Sequence, residues 1–178
     1  MAVELTTIAL QIVGYQNSGK TTLMTKLIKV LTEHGAKVGT IKHHGHGGFP
    51  EAYDRDKDTA KHRDAGATVT GVEGAGMLQF QAFNSNGWTL QDMLSFYNKL
   101  PIDIILIEGF KREPFPKIVL LRSEEDEELL EQLDNIQAII SWYGPLEVIK
   151  GISTFHINEE NGYIEWVKAY FERIDTIE

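Results

Sequence analysis

The chain has 178 residues, of which 42% are hydrophobic and 24% charged, and it carries a formal net charge of −9 at pH 7. That is enough for one domain with a proper core, and the negative balance argues against broad, non-specific binding to nucleic acid or to an anionic membrane. Cysteine is absent, so a disulfide scaffold, a thiolate zinc site and an iron–sulfur cluster are excluded, which fits a reducing compartment and a cytoplasmic protein.

The apolar run from Thr7 to Val13 reads as a buried first strand. No stretch of 18 apolar residues occurs, so no membrane-spanning helix is expected. From about Lys20 to His34 the pattern is helical, with Leu23, Leu27, Ile28 and Leu31 on one face, and Gly35 is available as a left-handed stop. A second strand covers Lys37 to Lys42. The Gly- and His-rich stretch from His43 to Asp56 breaks every period and reads as a loop, followed by a polar helix that ends near Gly66. Two short strands follow, in TVTGVEG and GMLQFQAF, and then an amphipathic helix between Trp88 and Leu100. IDIILIEGF is the most apolar run and predicts a central parallel strand covered on both faces. KIVLLR, IQAIIS and STFHI are further strands, an acidic helix capped by Ser123 is expected after the first of these, and a terminal helix carries Ile164, Val167 and Phe171 on one stripe. No repeat or linker is visible, so residues 1–178 are read as a single domain.

Between the first strand and the first helix, Gly14 to Thr21 matches G-x-x-x-x-G-K-[ST] in full. Glycines let the backbone turn so that successive N–H groups face phosphate oxygens. Lys20 adds positive charge near the β- and γ-phosphates, the Thr21 hydroxyl can ligate Mg²⁺, and the helix N-terminus adds its dipole. Gly14, Tyr15, Gln16, Asn17, Ser18, Gly19, Lys20, Thr21 and Thr22 are therefore the candidate phosphate-binding residues. The expected architecture is α/β: a three-layer sandwich of the P-loop NTPase type, with a mostly parallel central sheet and helices on both faces.

Ligands of open α/β sheets collect at the carboxyl ends of strands. In IDIILIEG, Asp103 enters the strand and Glu108 leaves it, so Glu108 is the candidate to hold the metal, with Asp54 as a further carboxylate able to reach it. Lys42, His43, His44 and Gly45 follow the second strand and so face the same edge. Contact with an anion or a partner is the first reading of the histidines, a solvated loop the second and a dedicated metal site the third.

The stretches VGYQNSGKTTL, GTIKHHGHGG, KHRDAGA and IDIILIEGFK, in this order, resemble the molybdopterin-guanine dinucleotide biosynthesis adapter proteins of the MobB family. The resemblance covers the first two-thirds of the chain. It implies a GTP- and Mg²⁺-binding accessory protein, a weak GTPase at most, that assists the molybdopterin guanylyltransferase and forms a homodimer. By position, Gly14 to Thr22 would hold the phosphates, Glu108 would serve the metal, and the loop from His43 to Gly48 would face the active edge. The Asn/Thr-Lys-x-Asp stretch with which many GTPases read guanine is missing from AIISWYGPLE, Ala138 to Glu147, so GTP follows from the resemblance alone. Two rival readings stay open. A small kinase would want several arginines over the phosphates, and the chain has five in all. A nucleotide-switched binding module would order residues 43–64 against the γ-phosphate.

Overall fold

Residues 7–45, 48, 50, 57–144, 146, 149 and 151–175 are described by a computed structural model. They group into two compact units, one formed by the chain up to His43 and from Leu90 onward, the other by His44–Thr89.

The first unit is built on six strands: β1 (Ile8–Val13), β2 (Val38–Lys42), β5 (Ile104–Glu108), β6 (Lys117–Leu121), β7 (Ile136–Ser141) and β8 (Ser153–His156). Their order across the sheet is β2-β5-β1-β6-β7-β8, and every neighbouring pair is parallel. The β5 and β6 side chains are buried throughout, as strands with helices on both faces require. One face packs on α1 (Lys20–Glu33) and α5 (Glu160–Asp175), where Leu10, Ile12, Leu106 and Leu120 meet Leu23, Leu27, Tyr163 and Val167. The opposite face carries α3 (Leu90–Tyr97) against Ala9, Ile41, Ile105 and Ile107, and α4 (Glu128–Gln132) against Val13, Val119 and Ile139. The expected three-layer α/β sandwich is therefore observed in this unit.

Local sequence explains several joints. Gly35 takes φ 88°, and the Ala36 N–H donates to the Leu31 carbonyl, so α1 ends on the left-handed glycine that the sequence offers. Gly39 interrupts β2 for packing: a Cβ there would lie 2.9 Å from Ile102 Cδ1 and 3.0 Å from the Tyr97 ring. Lys117 opens β6 fully buried and donates to the carbonyls of Glu113, Phe115 and Asp134, tying the turn before β6 to the segment before β7 at the amino edge of the sheet. One expectation is corrected. The acidic stretch after Ser123 is a 3-10 turn (Glu124–Glu127) followed by the short α4, and Ser123 makes no side-chain cap hydrogen bond. Its carbonyl instead accepts from the Asp126 N–H, while the Asp126 carboxylate accepts from the Arg122 N–H.

The second unit holds α2 (Asp58–Asp64) and an antiparallel hairpin of β3 (Val69–Gly74) and β4 (Met77–Ala82). Cross-strand partners share a face, and Val69, Leu78, Phe80 and Ala82 fall on the same one. Val69, Leu78 and Phe80 are 50%, 65% and 54% exposed, although their side chains are apolar.

Candidate functional site

The loop between β1 and α1 forms because small and left-handed residues stand where the backbone must fold tightly. Asn17 takes φ 60° and Gly19 takes φ 97°. At Gly14 a Cβ would lie 2.6 Å from Ser18 Oγ and 2.7 Å from the Leu120 carbonyl, so only glycine fits beneath the loop. Ser18 is buried, and its Oγ has no hydrogen-bond partner among the described residues. Helix α1 then starts at Lys20 with no side-chain cap and no acidic residue in its first turn. Among the described residues no side chain caps its first N–H groups, which suits an anion.

Four charged or polar side chains gather at this loop: Lys20, Thr21, Lys42 and Glu108. Thr21 Oγ1 donates to the Glu108 carboxylate, with 3.2 Å to each oxygen. Lys42 Nζ donates to Glu108 Oε1 at 2.9 Å. Parallel register makes this pairing unavoidable, because Lys42 and Glu108 are Cα partners at the carboxyl ends of β2 and β5. Lys20 Nζ donates to the Tyr15 carbonyl, and burial lowers its pKa below the ordinary lysine value; the Glu108 charge opposes that shift, and Lys111 and Lys42 add to it. A lysine held partly out of water among like charges is one that an incoming polyanion would stabilise.

The turn after β5 is fixed from below. Gln11, buried in β1, donates from Nε2 to the carbonyls of Gly109 and Phe110. Gly109 takes φ 94° and Phe110 φ 53°, so the chain leaves Glu108 through two left-handed residues. A Cβ at Gly109 would lie 3.1 Å from the His43 Cβ, and the His43 ring rests 4.7 Å from the Phe110 ring. His43 also donates its N–H to the Glu108 carbonyl.

The structure therefore brings Gly14, Ser18, Gly19, Lys20, Thr21, Lys42, His43 and Glu108 to one edge of the sheet. Tyr15, Gln16, Asn17 and Thr22 flank them on the loop and the first turn of α1, with Gln16, Asn17 and Thr22 exposed. His44 and Gly45 open the second unit, where both are exposed. Asp54 and His46 lie outside the described residues. Among the described residues no group of three His, Asp or Glu side chains could hold a metal. For Mg²⁺ the donor chemistry still fits. A hydroxyl and a carboxylate are hard oxygen ligands, and Mg²⁺ takes one or two of these together with water and substrate phosphates.

The structure also adds two residues that the pattern reading does not single out, Arg122 and Trp142. Arg122, at the end of β6, donates from Nη1 to the Asn17 carbonyl at 3.3 Å. Trp142, at the end of β7, donates its indole N–H to the Ser18 carbonyl at 2.9 Å. Lys111 places its ammonium 4.2 Å from the centre of the Tyr15 ring, whose hydroxyl donates to Glu128.

The family described as Molybdopterin guanine dinucleotide synthesis protein B, MobB, matches residues 9–142. The chain belongs to this family. It is 42% identical over 149 residues to a Bacillus subtilis (strain 168) protein described as a probable molybdopterin-guanine dinucleotide biosynthesis adapter protein, covering 84% of this chain and 85% of the relative. The crystal structure of Bacillus subtilis MobB is similar with a TM-score of 0.77 and 38% identity, over 91% of this chain and 96% of that one. A MobB homologue from Bacillus stearothermophilus gives a TM-score of 0.75 and 38% identity, over 93% and 98% of the two chains. Similarity on this scale covers the last third of the chain as well, where the sequence carries no family motif.

Proposed function

We propose that this MobB protein is a nucleotide-binding accessory protein of molybdenum cofactor biosynthesis, which holds GTP with Mg²⁺ and assists the guanylyltransferase that attaches GMP to molybdopterin. The observation that carries the reading is the convergence of Lys20, Thr21 and Glu108 at an uncapped helix start, next to a turn that tolerates only glycine at position 14. Backbone N–H groups of Asn17 to Thr21 would bind phosphate oxygens, with Lys20 adding charge at the β- and γ-phosphates. Thr21 would ligate the metal and Glu108 would hold it through water; the metal would neutralise phosphate charge. Lys42 would then move from Glu108 to the phosphates, exchanging one anionic partner for another. The printed description of the Bacillus subtilis relative as an adapter supports the accessory role.

Slow turnover is part of the proposal. With nucleotide bound, Glu108 would be engaged with the metal's water rather than placed to take a proton from an attacking water, and phosphoryl transfer relies on a positioned nucleophile. GTP hydrolysis is expected to stay below about 1 s⁻¹, and a rate on the order of 10 s⁻¹ would contradict the accessory role.

The homodimer belongs to the same proposal. Hairpin β3–β4 exposes Val69, Leu78 and Phe80 on one face, apolar area that a second copy would take out of water. A second copy covering that face would stabilise it. Among the described residues no helix is long and apolar enough to cross a membrane.

The test is reconstitution. Purified guanylyltransferase, molybdopterin and limiting GTP should yield more dinucleotide when this chain is added, and Lys20→Ala should remove the gain. Equal yields with and without the chain would overturn the adapter reading.

A further inference from the structure

The carboxyl edge of the sheet has two flanks around the phosphate loop. Toward β5 and β2 lie Thr21, Glu108 and Lys42, the metal side, where the terminal phosphates of a bound nucleotide belong. Its nucleoside end therefore extends toward the other flank, where β6 and β7 end. That flank presents an aromatic surface. Trp142 follows β7 directly and is 48% exposed. It is held at two points: its backbone N–H donates to the Leu121 carbonyl at 3.0 Å, and its indole N–H donates to the Ser18 carbonyl at 2.9 Å. The ring edge is so close to the loop that a Cβ at Gly19 would lie 3.3 Å from Trp142 Cζ2. An indole with its one polar group satisfied, fixed against the phosphate loop and open to water, has its π-face as its remaining binding surface.

We propose that Trp142 is the base platform of this site, the ring on which the purine of the bound nucleoside triphosphate stacks. The inference rests on the nucleotide-binding reading above and adds the residue that would contact the base. It also gives a physical sense to the missing Asn/Thr-Lys-x-Asp stretch, whose place in the chain Trp142 occupies. Stacking accepts any purine, because every base has a π-face. Trp142 thus supplies affinity for GTP and ATP alike and no discrimination between them.

The experiment compares GTP, ATP and inorganic tripolyphosphate, each with Mg²⁺, by calorimetric titration of the wild type, Trp142→Ala and Trp142→Phe. The wild type should bind both nucleotides more tightly than tripolyphosphate. Trp142→Ala should weaken GTP and ATP by the same factor, about tenfold, and leave tripolyphosphate unchanged, while Trp142→Phe retains most of the affinity. A parallel loss for tripolyphosphate would mean that the indole acts by holding Ser18, and it would overturn the platform. So would a wild type that binds tripolyphosphate as tightly as GTP, with the phosphate-loop reading left standing. A wild type that binds neither would remove both. Should Trp142→Ala fail to fold, a chain carrying Trp88→Phe and Trp166→Phe leaves Trp142 as the single tryptophan of the three. GTP should quench its fluorescence and tripolyphosphate should not; equal signals from the two would overturn the proposal.

Discussion

A methyl group added at Gly14 would have to share space with Ser18 Oγ at 2.6 Å and the Leu120 carbonyl at 2.7 Å. The Leu120 carbonyl is backbone inside β6 and cannot turn away, so the loop itself would shift. Gly14→Ala should lower stability by about 1–3 kcal/mol and abolish phosphate binding, read by chemical denaturation and by titration with Mg²⁺-tripolyphosphate. Lys20 gives a prediction in pH. Burial lowers its pKa from the ordinary 10.5, and bound phosphate would raise it again. Affinity should be flat while the ammonium is protonated in both states, then fall as pH rises through the lowered value toward that of the complex, with proton uptake on binding. Titrations with tripolyphosphate between about pH 7 and about pH 10, in two buffers of different ionisation enthalpy, measure both effects. At this scale the sequence is informative where chain direction settles the matter. Glu108 leaves an apolar strand beside the loop, so its place can be read before any coordinates, and Thr21 follows from the motif. Arg122 and Trp142 cannot be found this way. Trp142 touches Ser18 across 124 residues of chain, and only the order of strands makes them neighbours.

Elements are legible because burial writes its period into the chain. Helix α1 buries Leu23, Leu27 and Leu31 of the expected face, with Met24 buried beside them and Ile28 half-buried, and β5 is apolar because helices cover both its faces. The acidic stretch after Ser123 misleads because its charges suggest a capped helix, whereas Asp126 caps the strand end at Arg122 instead. Lys117 hides its role for the opposite reason. A lysine at the start of a strand looks like a solvated edge, yet this one is fully buried with three carbonyl partners. Lys117→Met preserves the volume and leaves those carbonyls without their donor. It should cost about 3 kcal/mol in urea unfolding and leave phosphate binding intact in the folded fraction. A loss under about 0.5 kcal/mol would mean that the tie at the amino edge is ornamental.

At the scale of the molecule, the parallel class of the sheet is readable from alternating apolar and amphipathic blocks, but its strand order is not. Chain order leaves open which strand lies beside β1, and β5 and β6 take those two places. That arrangement puts carboxylate and lysine on one flank of the loop and indole and guanidinium on the other. The exposed hairpin is likewise legible as two strands and not as a surface, since alternation tells which residues share a face and not what covers it. Leu78→Asp with Phe80→Asp should convert a dimer to a monomer in sedimentation without altering GTP affinity. A wild-type chain that sediments as a monomer at micromolar concentration would contradict the second-copy reading.

All of these effects depend on one claim, that the edge formed by Gly14, Lys20, Thr21 and Glu108 binds a nucleoside triphosphate with Mg²⁺. Calorimetric titration of Mg²⁺-GTP into the wild type and Lys20→Ala tests it most directly. Saturable binding that the substitution weakens by about tenfold or more is the expected result. Absence of binding to a folded wild type, or equal binding by Lys20→Ala, would contradict the account.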